Sequence, residues 1–157
     1  MKKLIFIFSL VLLSGIFTGC FEDYDERFLF TDFRVEFQDA VVNNPGAGLD
    51  YAVVATLNDN AGLREYQVNL IGGLSDTEQI IPVVFLTDES TAVENTHFSF
   101  PNGAQVVIPA GEAFGKFSIN IPVLENTSAV RAVFELQSND MVKASANHKK
   151  IGFDIVK

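Results

Sequence analysis

Apolar and polar residues alternate at a period of two along most of the chain after residue 28, and turn-forming residues separate the alternating runs. The alternation is clearest in residues 33–37 and 117–123. Because successive side chains of a strand point to opposite faces, this pattern predicts strands with one buried face. No window of about ten residues after Cys20 carries the 3.6-residue stripe of an amphipathic helix. The pattern therefore favours an all-β fold.

Short predicted strands follow one another along the chain after residue 28, and loops rich in Gly, Pro, Asn and Asp lie between many of them. They cover residues 33–37, 51–57, 66–70, 80–86, 97–100, 105–108, 117–123, 130–136 and 151–155, and residues 138–150 read as a polar connection. Pro82 indicates an edge position or a bulge in its strand. This spacing predicts a single immunoglobulin-like, two-sheet antiparallel sandwich of about 7 to 9 strands. An open barrel is the alternative.

The first 19 residues have the pattern of a secretory signal peptide. Lys2 and Lys3 precede an apolar run over residues 4–17. The run is shorter than the roughly 20 apolar residues that a membrane span needs. Carboxylates follow in residues 22–26, where hydrocarbon would make them costly. We therefore expect residues 1–19 to be a cleaved signal and not an anchor helix.

Phe17-Thr18-Gly19-Cys20 resembles the lipobox of bacterial lipoproteins, in which cleavage before the cysteine is followed by lipidation of its thiol. Cys20 is the sole cysteine of the chain and lies where that modification requires it. The resemblance implies a lipid on Cys20, a cleaved chain without a disulfide, and a protein that is anchored to a membrane without spanning it.

Residues 20–28 form an acidic tether before the predicted sandwich, which spans residues 29–157. The acidic cluster resembles the export signal that sends lipoproteins of Bacteroidota to the outer face of the outer membrane. A solvated linker is the other interpretation, because acidic residues also keep a linker extended. The expected location is therefore the bacterial outer membrane, with the sandwich exposed at the cell surface.

The charge of the chain restricts its partners. The net charge is −9, and loss of Lys2 and Lys3 with the signal lowers it to −11. Nucleic acid and anionic headgroups would be repelled by such a surface. The chain has no Trp and only Tyr24, Tyr51 and Tyr66 beside its 15 phenylalanines, which argues against an aromatic glycan platform.

Three stretches resemble the pattern of Calx-beta-like sandwiches in surface lipoproteins of Bacteroidota. They are TAVENTHF at residues 91–98, VVIPAGE at 106–112 and INIPV at 119–123, with VNLIG at 68–72 as a weaker addition. The resemblance implies a Calx-beta-like fold. Calcium-binding Calx-beta domains carry a run of carboxylates after the strand that corresponds to residues 117–123. This chain has only Glu125 there, and Asn95 stands where the pattern has Gly.

Asp88, Glu89 and Glu94 are the calcium candidates, because calcium takes six to eight oxygen ligands and a flexible loop can supply several. A solvated acidic loop is the alternative for all three residues. The two histidines, His97 and His148, lie far apart in the sequence, and we interpret His97 as a hydrogen-bonded strand residue. We predict no catalytic residues and no cofactor, since no phosphate loop, nucleophile elbow or metal spacing is present.

These features favour a surface-anchored binding or accessory module without catalysis, associated with outer-membrane glycan uptake or with adhesion. The expected partners are the membrane, through the lipid on Cys20, and a polysaccharide or another surface protein. One alternative is an assembly protein that pairs through an edge strand, either residues 117–123 or the final strand. The other is a calcium-binding Calx-beta-type module.

Overall fold

Within the described residues, 32–125 and 128–157 of the computed structural model, nine strands alternate with short turns and loops. The signal peptide, Cys20 and the tether that the sequence predicts lie outside these residues. The strands are β1 (Phe33–Phe37), β2 (Ala52–Asn58), β3 (Gly62–Ile71), β4 (Gln79–Phe85), β5 (Gln105–Ile108), β6 (Phe114–Ile121), β7 (Val130–Leu136), β8 (Val142–Ala144) and β9 (Lys150–Val156). A five-residue helix, α1 (Gln38–Val42), follows β1, and a 3-10 helix spans Thr87–Glu89.

The strands form two sheets that pack face to face. One has four strands in the order β6-β3-β1-β8, and the other has five in the order β2-β9-β7-β4-β5. The inward-facing residues of both sheets form one shared hydrophobic core. The predicted all-β, immunoglobulin-like sandwich is therefore confirmed.

Phenylalanine rings fill the centre of the core. Phe134 on β7 contacts the rings of Phe98 and Phe117, each at a centroid distance of 5.1 Å. Phe153 on β9 lies 5.8 Å from Phe134 and 4.4 Å from Tyr66 on β3. Four of these rings come from four different strands, β3, β6, β7 and β9, and Phe98 comes from the segment before β5. The inward-facing positions of both sheets thus supply one buried aromatic layer.

Two strand pairings differ from the strictly antiparallel prediction. Strand β1 pairs with β8 in parallel, and β2 pairs with β9 in parallel. Strand β8 and helix α1 were not predicted, because each is too short to show a period. Residues 97–100 are not a strand, since they make only isolated bridges, one of them between Ser99 and Asn120.

Neither Pro82 nor β9 lies at a sheet edge, so both edge predictions are wrong. Strand β4 is flanked by β7 and β5, and β9 is flanked by β2 and β7. Pro82 is tolerated because it lies at the end of the β7 ladder, which pairs over Val83–Phe85. Its carbonyl still accepts from the Gln137 amide at 2.8 Å, so only the return bond from the missing N–H is absent.

The part of the chain that the structure describes contains no helix with the length and hydropathy needed to cross a bilayer.

Candidate binding groove between strands β5 and β6

A tight turn carries the chain from β5 in one sheet to β6 in the other. The Glu112 amide donates to the Pro109 carbonyl at 3.1 Å, and Gly111 takes a φ of +76° between them. Proline followed by a glycine with positive φ suits such a turn. The Gly111 amide also donates to the Ser75 carbonyl at 2.8 Å, which anchors the turn to a neighbouring loop.

Strands β5 and β6 approach each other closely at Gly115. A Cβ atom at this position would collide with the carbonyl oxygen of Val107 and would stand 2.8 Å from Cγ1 of Val106. A glycine inside a strand often marks such a close backbone approach. Gly115 therefore allows the two sheet edges to meet.

Strand β6 ends the four-stranded sheet, so one of its edges pairs with β3 and the other has no neighbouring strand in that sheet. Asn120 exchanges both backbone hydrogen bonds with Ser99, at 2.9 and 3.0 Å, and the Leu70 amide on β3 donates to the Ala113 carbonyl at 2.8 Å. In an antiparallel ladder the backbone groups of alternate residues point to opposite sides. The N–H and C=O groups of Lys116 and Ser118 therefore point away from β3.

A groove of about 510 Å³ runs along this edge, and we call it the β5–β6 groove. Its lining residues are Glu65, Asn102, Gln105, Val107, Pro109, Glu112, Phe114, Gly115, Lys116 and Ser118. The side chain of Phe114 is 46% exposed and that of Val107 is also exposed. Lys116 Nζ lies 2.8 Å from Glu65 Oε2. The groove thus combines apolar walls, two carboxylates and strand backbone.

A second cluster of functional groups lies on the outer face of the five-stranded sheet, and we call Lys150, Asp50, Glu89 and Tyr51 the Lys150 cluster. Lys150 Nζ donates to Asp50 at 3.0 Å and to Glu89 at 2.8 Å, and it stands 5.5 Å from the centre of the Tyr51 ring. Burial acts to lower the pKa of Lys150, but its hydrogen bonds with Glu89 and Asp50 outweigh burial and raise it. The hydrogen bond from Lys150 lowers the pKa of Asp50.

The calcium candidates do not form a shared site. Both carboxylate oxygens of Glu89 accept from Lys150, at 2.8 and 3.1 Å, so an ammonium group occupies the position that a cation would take. Asp88 lies beside Glu89 on the exposed 3-10 helix, and Glu94 lies in the following loop. Across residues 32–125 and 128–157, no group of three His, Cys, Asp or Glu side chains is arranged to hold a metal ion. Asp88, Glu89 and Glu94 therefore do not form the calcium site that the acidic loop suggested.

Both histidines make structural contacts. The Val93 amide donates to Nδ1 of His97 at 2.9 Å, which closes a turn. Nδ1 of His148, in the turn before β9, lies 3.3 Å from Oε2 of Glu36 on β1. His97 is thus hydrogen-bonded as the sequence predicts, but in a turn and not in a strand.

Sequence reasoning missed the β5–β6 groove, although one signal was present. Gly115 lies two residues before the predicted strand 117–123, and β6 in fact begins at Phe114. Extension of the strand by three residues would have placed a glycine inside it, which indicates close backbone approach. The Lys150 cluster left no such signal, because its three charged residues, Asp50, Glu89 and Lys150, are far apart in the sequence.

The fold is similar to a solved Calx-beta structure, the crystal structure of CBD12 from CALX1.2. The TM-score is 0.51 with 18% identity, and the match covers 78% of this chain and 43% of that chain. This chain therefore corresponds to less than half of that chain. At such an identity the likeness shows the fold alone, which is a Calx-beta-like β-sandwich.

Two further solved structures match with lower TM-scores. One is the N-terminal domain of PorA, with a TM-score of 0.38 and 14% identity; the match covers 80% of this chain and 96% of that chain. The other is a family 123 glycoside hydrolase from Clostridium perfringens, with a TM-score of 0.37 and 10% identity; the match covers 80% of this chain and 27% of that chain. Neither likeness carries an argument about this chain. No protein-family model and no curated protein matches the sequence.

Proposed function

We propose that this protein is a lipid-anchored surface protein of the bacterial outer membrane whose β-sandwich binds a partner without catalysis. The observation that carries the proposal is the sequence around Cys20, where a signal-like segment ends in a lipobox-like tetrapeptide. Each buried methylene of an acyl chain contributes about 0.8 kcal/mol, so several chains on one residue hold a protein firmly at a membrane. The acidic residues that follow would keep the sandwich clear of anionic headgroups.

The described residues support binding better than catalysis. Nδ1 of His97 accepts from the Val93 amide, and Nδ1 of His148 lies 3.3 Å from Glu36, so both imidazoles have structural partners. The open β5–β6 groove, by contrast, presents apolar side chains and strand backbone together. A role beside an outer-membrane glycan-uptake system or in adhesion is the finer form of this proposal.

Mass spectrometry of the protein purified from its membrane tests the anchor. We expect a chain that begins at Cys20 with acyl groups on that residue, and a Cys20→Ala variant that leaves the membrane fraction. Protease treatment of intact cells would remove the sandwich if it faces outward. An unmodified thiol, or residues 1–19 still attached, would contradict the anchor.

The glycan-uptake form has a separate test. Affinity gel electrophoresis of the full chain in polysaccharide gels should show retarded migration in at least one polysaccharide, because a binding site slows the protein. Unchanged migration in every polysaccharide would exclude this form and leave a surface protein as the expected partner.

Assembly through an edge strand is a second candidate function, and one observation favours it. Strand β6, which contains most of the predicted edge segment 117–123, does end the four-stranded sheet. Sedimentation at increasing concentration tests whether copies of the chain associate. A monomer at all concentrations would exclude self-assembly.

A further inference from the structure

We propose that the β5–β6 groove binds an extended segment of a partner polypeptide, which adds as a strand beside β6. The inference rests on the proposed function of a surface binding module and names its site and the chemistry of its partner. An added strand makes main-chain hydrogen bonds to an exposed sheet edge, and pockets for alternate side chains give specificity. The β5–β6 groove supplies both elements.

The backbone of β6 defines where the added strand would lie. Lys116 and Ser118 direct their N–H and C=O groups away from β3, because Asn120 and Ala113 fix the alternation at the two ends of the strand. Ser99 covers the edge at Asn120, and β5 meets it at Gly115. Between these two contacts, no described residue forms a backbone hydrogen bond with the outward groups of Lys116 or Ser118. Lys116 is exposed, whereas Ser118 is only 6% exposed and lies in the floor of the groove, so an added strand would reach it from within the groove.

The walls of the groove favour apolar side chains at alternate positions of the partner. Val107 and Phe114 are large apolar residues that remain exposed, and Phe114 lies beside Gly115 at the contact between the strands. A strand places every second side chain on the same face, about 7 Å apart. One such side chain would lie against Val107 and Phe114 and would remove apolar surface from water.

Charge favours a basic residue in the partner segment. Glu65 and Glu112 both line the groove, while Lys116 is the only basic lining residue among those that the structure describes, and it bonds to Glu65 at 2.8 Å. The chain as a whole is strongly acidic. A partner segment with Lys or Arg beside its apolar residues would therefore complement the groove.

Lysine at a sheet edge often prevents strand addition, so the placement of Lys116 matters. Its ammonium group bonds to Glu65 on β3, which lies on the inner side of β6 in the sheet order. The side chain is thus drawn over the face of the four-stranded sheet and not across the open edge. The backbone groups of Lys116 remain accessible to an added strand.

A selection experiment with the full chain, purified in detergent, tests the proposal. The probe is a displayed library of linear peptides of about ten residues, which matches the length of a long strand. We expect selected peptides to alternate apolar residues and to be enriched in Lys or Arg. A failure to select any peptide would overturn the proposal.

Hydrogen exchange then locates the bound peptide without any substitution. In the free protein, the amides of Lys116 and Ser118 should exchange faster than those of Phe117 and Ile119, which bond to β3. Addition of a selected peptide should slow the exchange of Lys116 and Ser118. Protection of these two amides in the free protein, or peptide-dependent protection elsewhere only, would overturn the proposal.

A matched pair of variants separates backbone from side-chain effects. Ser118→Pro removes an outward N–H but no bond to β3, whereas Ser118→Ala keeps the N–H and removes the hydroxyl. Loss of one hydrogen bond and the shift of neighbouring bonds should weaken peptide binding by about tenfold in Ser118→Pro. Binding should stay within about twofold in Ser118→Ala, since its backbone groups are unchanged. Equal binding by both variants, with native melting curves, would contradict strand addition.

Polysaccharide binding provides the decisive alternative outcome. Suppose that a polysaccharide binds the chain, binds less tightly to Ser118→Pro, and does not displace the selected peptides. The groove is then a glycan site, and the proposal fails. Such a result would leave the anchored binding module intact. Conversely, an unmodified Cys20 would remove the anchor without changing peptide binding.

Discussion

The Lys150 cluster lies on the outer face of the five-stranded sheet, whereas the β5–β6 groove lies between edge strands of the two sheets, and the two surfaces use similar residue types in opposite ways. In the Lys150 cluster, an ammonium group that is only 12% exposed is satisfied by two carboxylates and packs on an aromatic ring. In the groove, Lys116 is 60% exposed, and the nearby Phe114 and Val107 remain in contact with solvent.

The comparison separates a surface that the fold completes from one that it leaves open. Lys150 on β9 bonds to Asp50 in the loop before β2 and to Glu89 in the 3-10 helix. The opposite charges neutralise one another, and the hydrogen bonds link these three segments. Strand β6 has an exposed phenylalanine, Phe114, at its edge, and the outward backbone groups of Lys116 and Ser118 form no backbone hydrogen bond among the described residues. We therefore expect substitutions in the Lys150 cluster to change stability and substitutions in the groove to change binding. The exception is Gly115, where the close backbone approach makes a substitution destabilising as well.

Glycines at the two surfaces give the largest expected effect. Gly115→Ala would place a methyl group against the rigid Val107 carbonyl, and Gly152→Ala would place one 2.7 Å from Cε2 of the Tyr51 ring. A side chain can shift where a backbone carbonyl cannot. We expect Gly115→Ala to lower the free energy of unfolding by about 3 kcal/mol and Gly152→Ala by about 1 to 2 kcal/mol. Chemical denaturation measures both values.

The order of these two values is what tests the comparison. A larger loss in Gly152→Ala would show that the Tyr51 ring is less able to move than the contact between β5 and β6. Gly103→Ala is not a suitable control, because Gly103 has a φ of +79° and the substitution would be strained in open space.

Lysine substitutions have the next largest expected effect on the free energy of unfolding. Lys150→Met keeps the aliphatic stem but leaves Asp50 and Glu89 without their ammonium partner, and we expect a loss of about 1 to 2 kcal/mol, because both carboxylates can still reach water. Lys116→Met removes an exposed ion pair, which typically contributes less than about 1 kcal/mol. Thermal unfolding of the two variants should therefore show a clear decrease for Lys150→Met only. Equal losses would mean that the two surfaces do not differ in this way.

The smallest expected effect is a change in acid titration. Lys150 holds the pKa of Asp50 below its ordinary value of 3.8, so this pair contributes stability that is present above that value and is lost as pH falls through the lowered pKa. In Lys150→Met the pKa of Asp50 should return toward 3.8. Carboxyl NMR titration measures it directly.

Asp32 provides the internal control for this titration. A hydrogen bond from Lys143 lowers its pKa independently of Lys150. Its titration should be the same in the native protein and in Lys150→Met. A shift at both aspartates would indicate a general change in the fold.

Local pattern was sufficient for the bounds of six strands. Strands β1, β2, β4, β5, β7 and β9 match the predicted segments within one residue at each end, because a half-buried strand imposes its period of two on the sequence. The two longest strands, β3 and β6, begin three or four residues before the predicted segments. The turn at Pro109 and Gly111 was predicted for the same local reason, since φ preferences depend on single residues.

Pairing between strands could not be predicted in this way. The parallel partners of β1 and β8 are separated by more than 100 residues, and the three residues of β8 carry no readable period. The choice of edge strand was half correct, because β6 ends its sheet whereas β9 is covered on both sides. An edge is a property of the neighbours that a strand acquires, and its own residues do not specify it.

The sequence by itself determined the class of fold and the extracytoplasmic expectation, because period-two alternation and a lipobox-like tetrapeptide are both local signals. The tertiary structure decided which surface is open. Lys150 meets Asp50 and Glu89, and Gly115 meets Val107, only after two sheets have packed, since these contacts depend on distances that the chain acquires on folding.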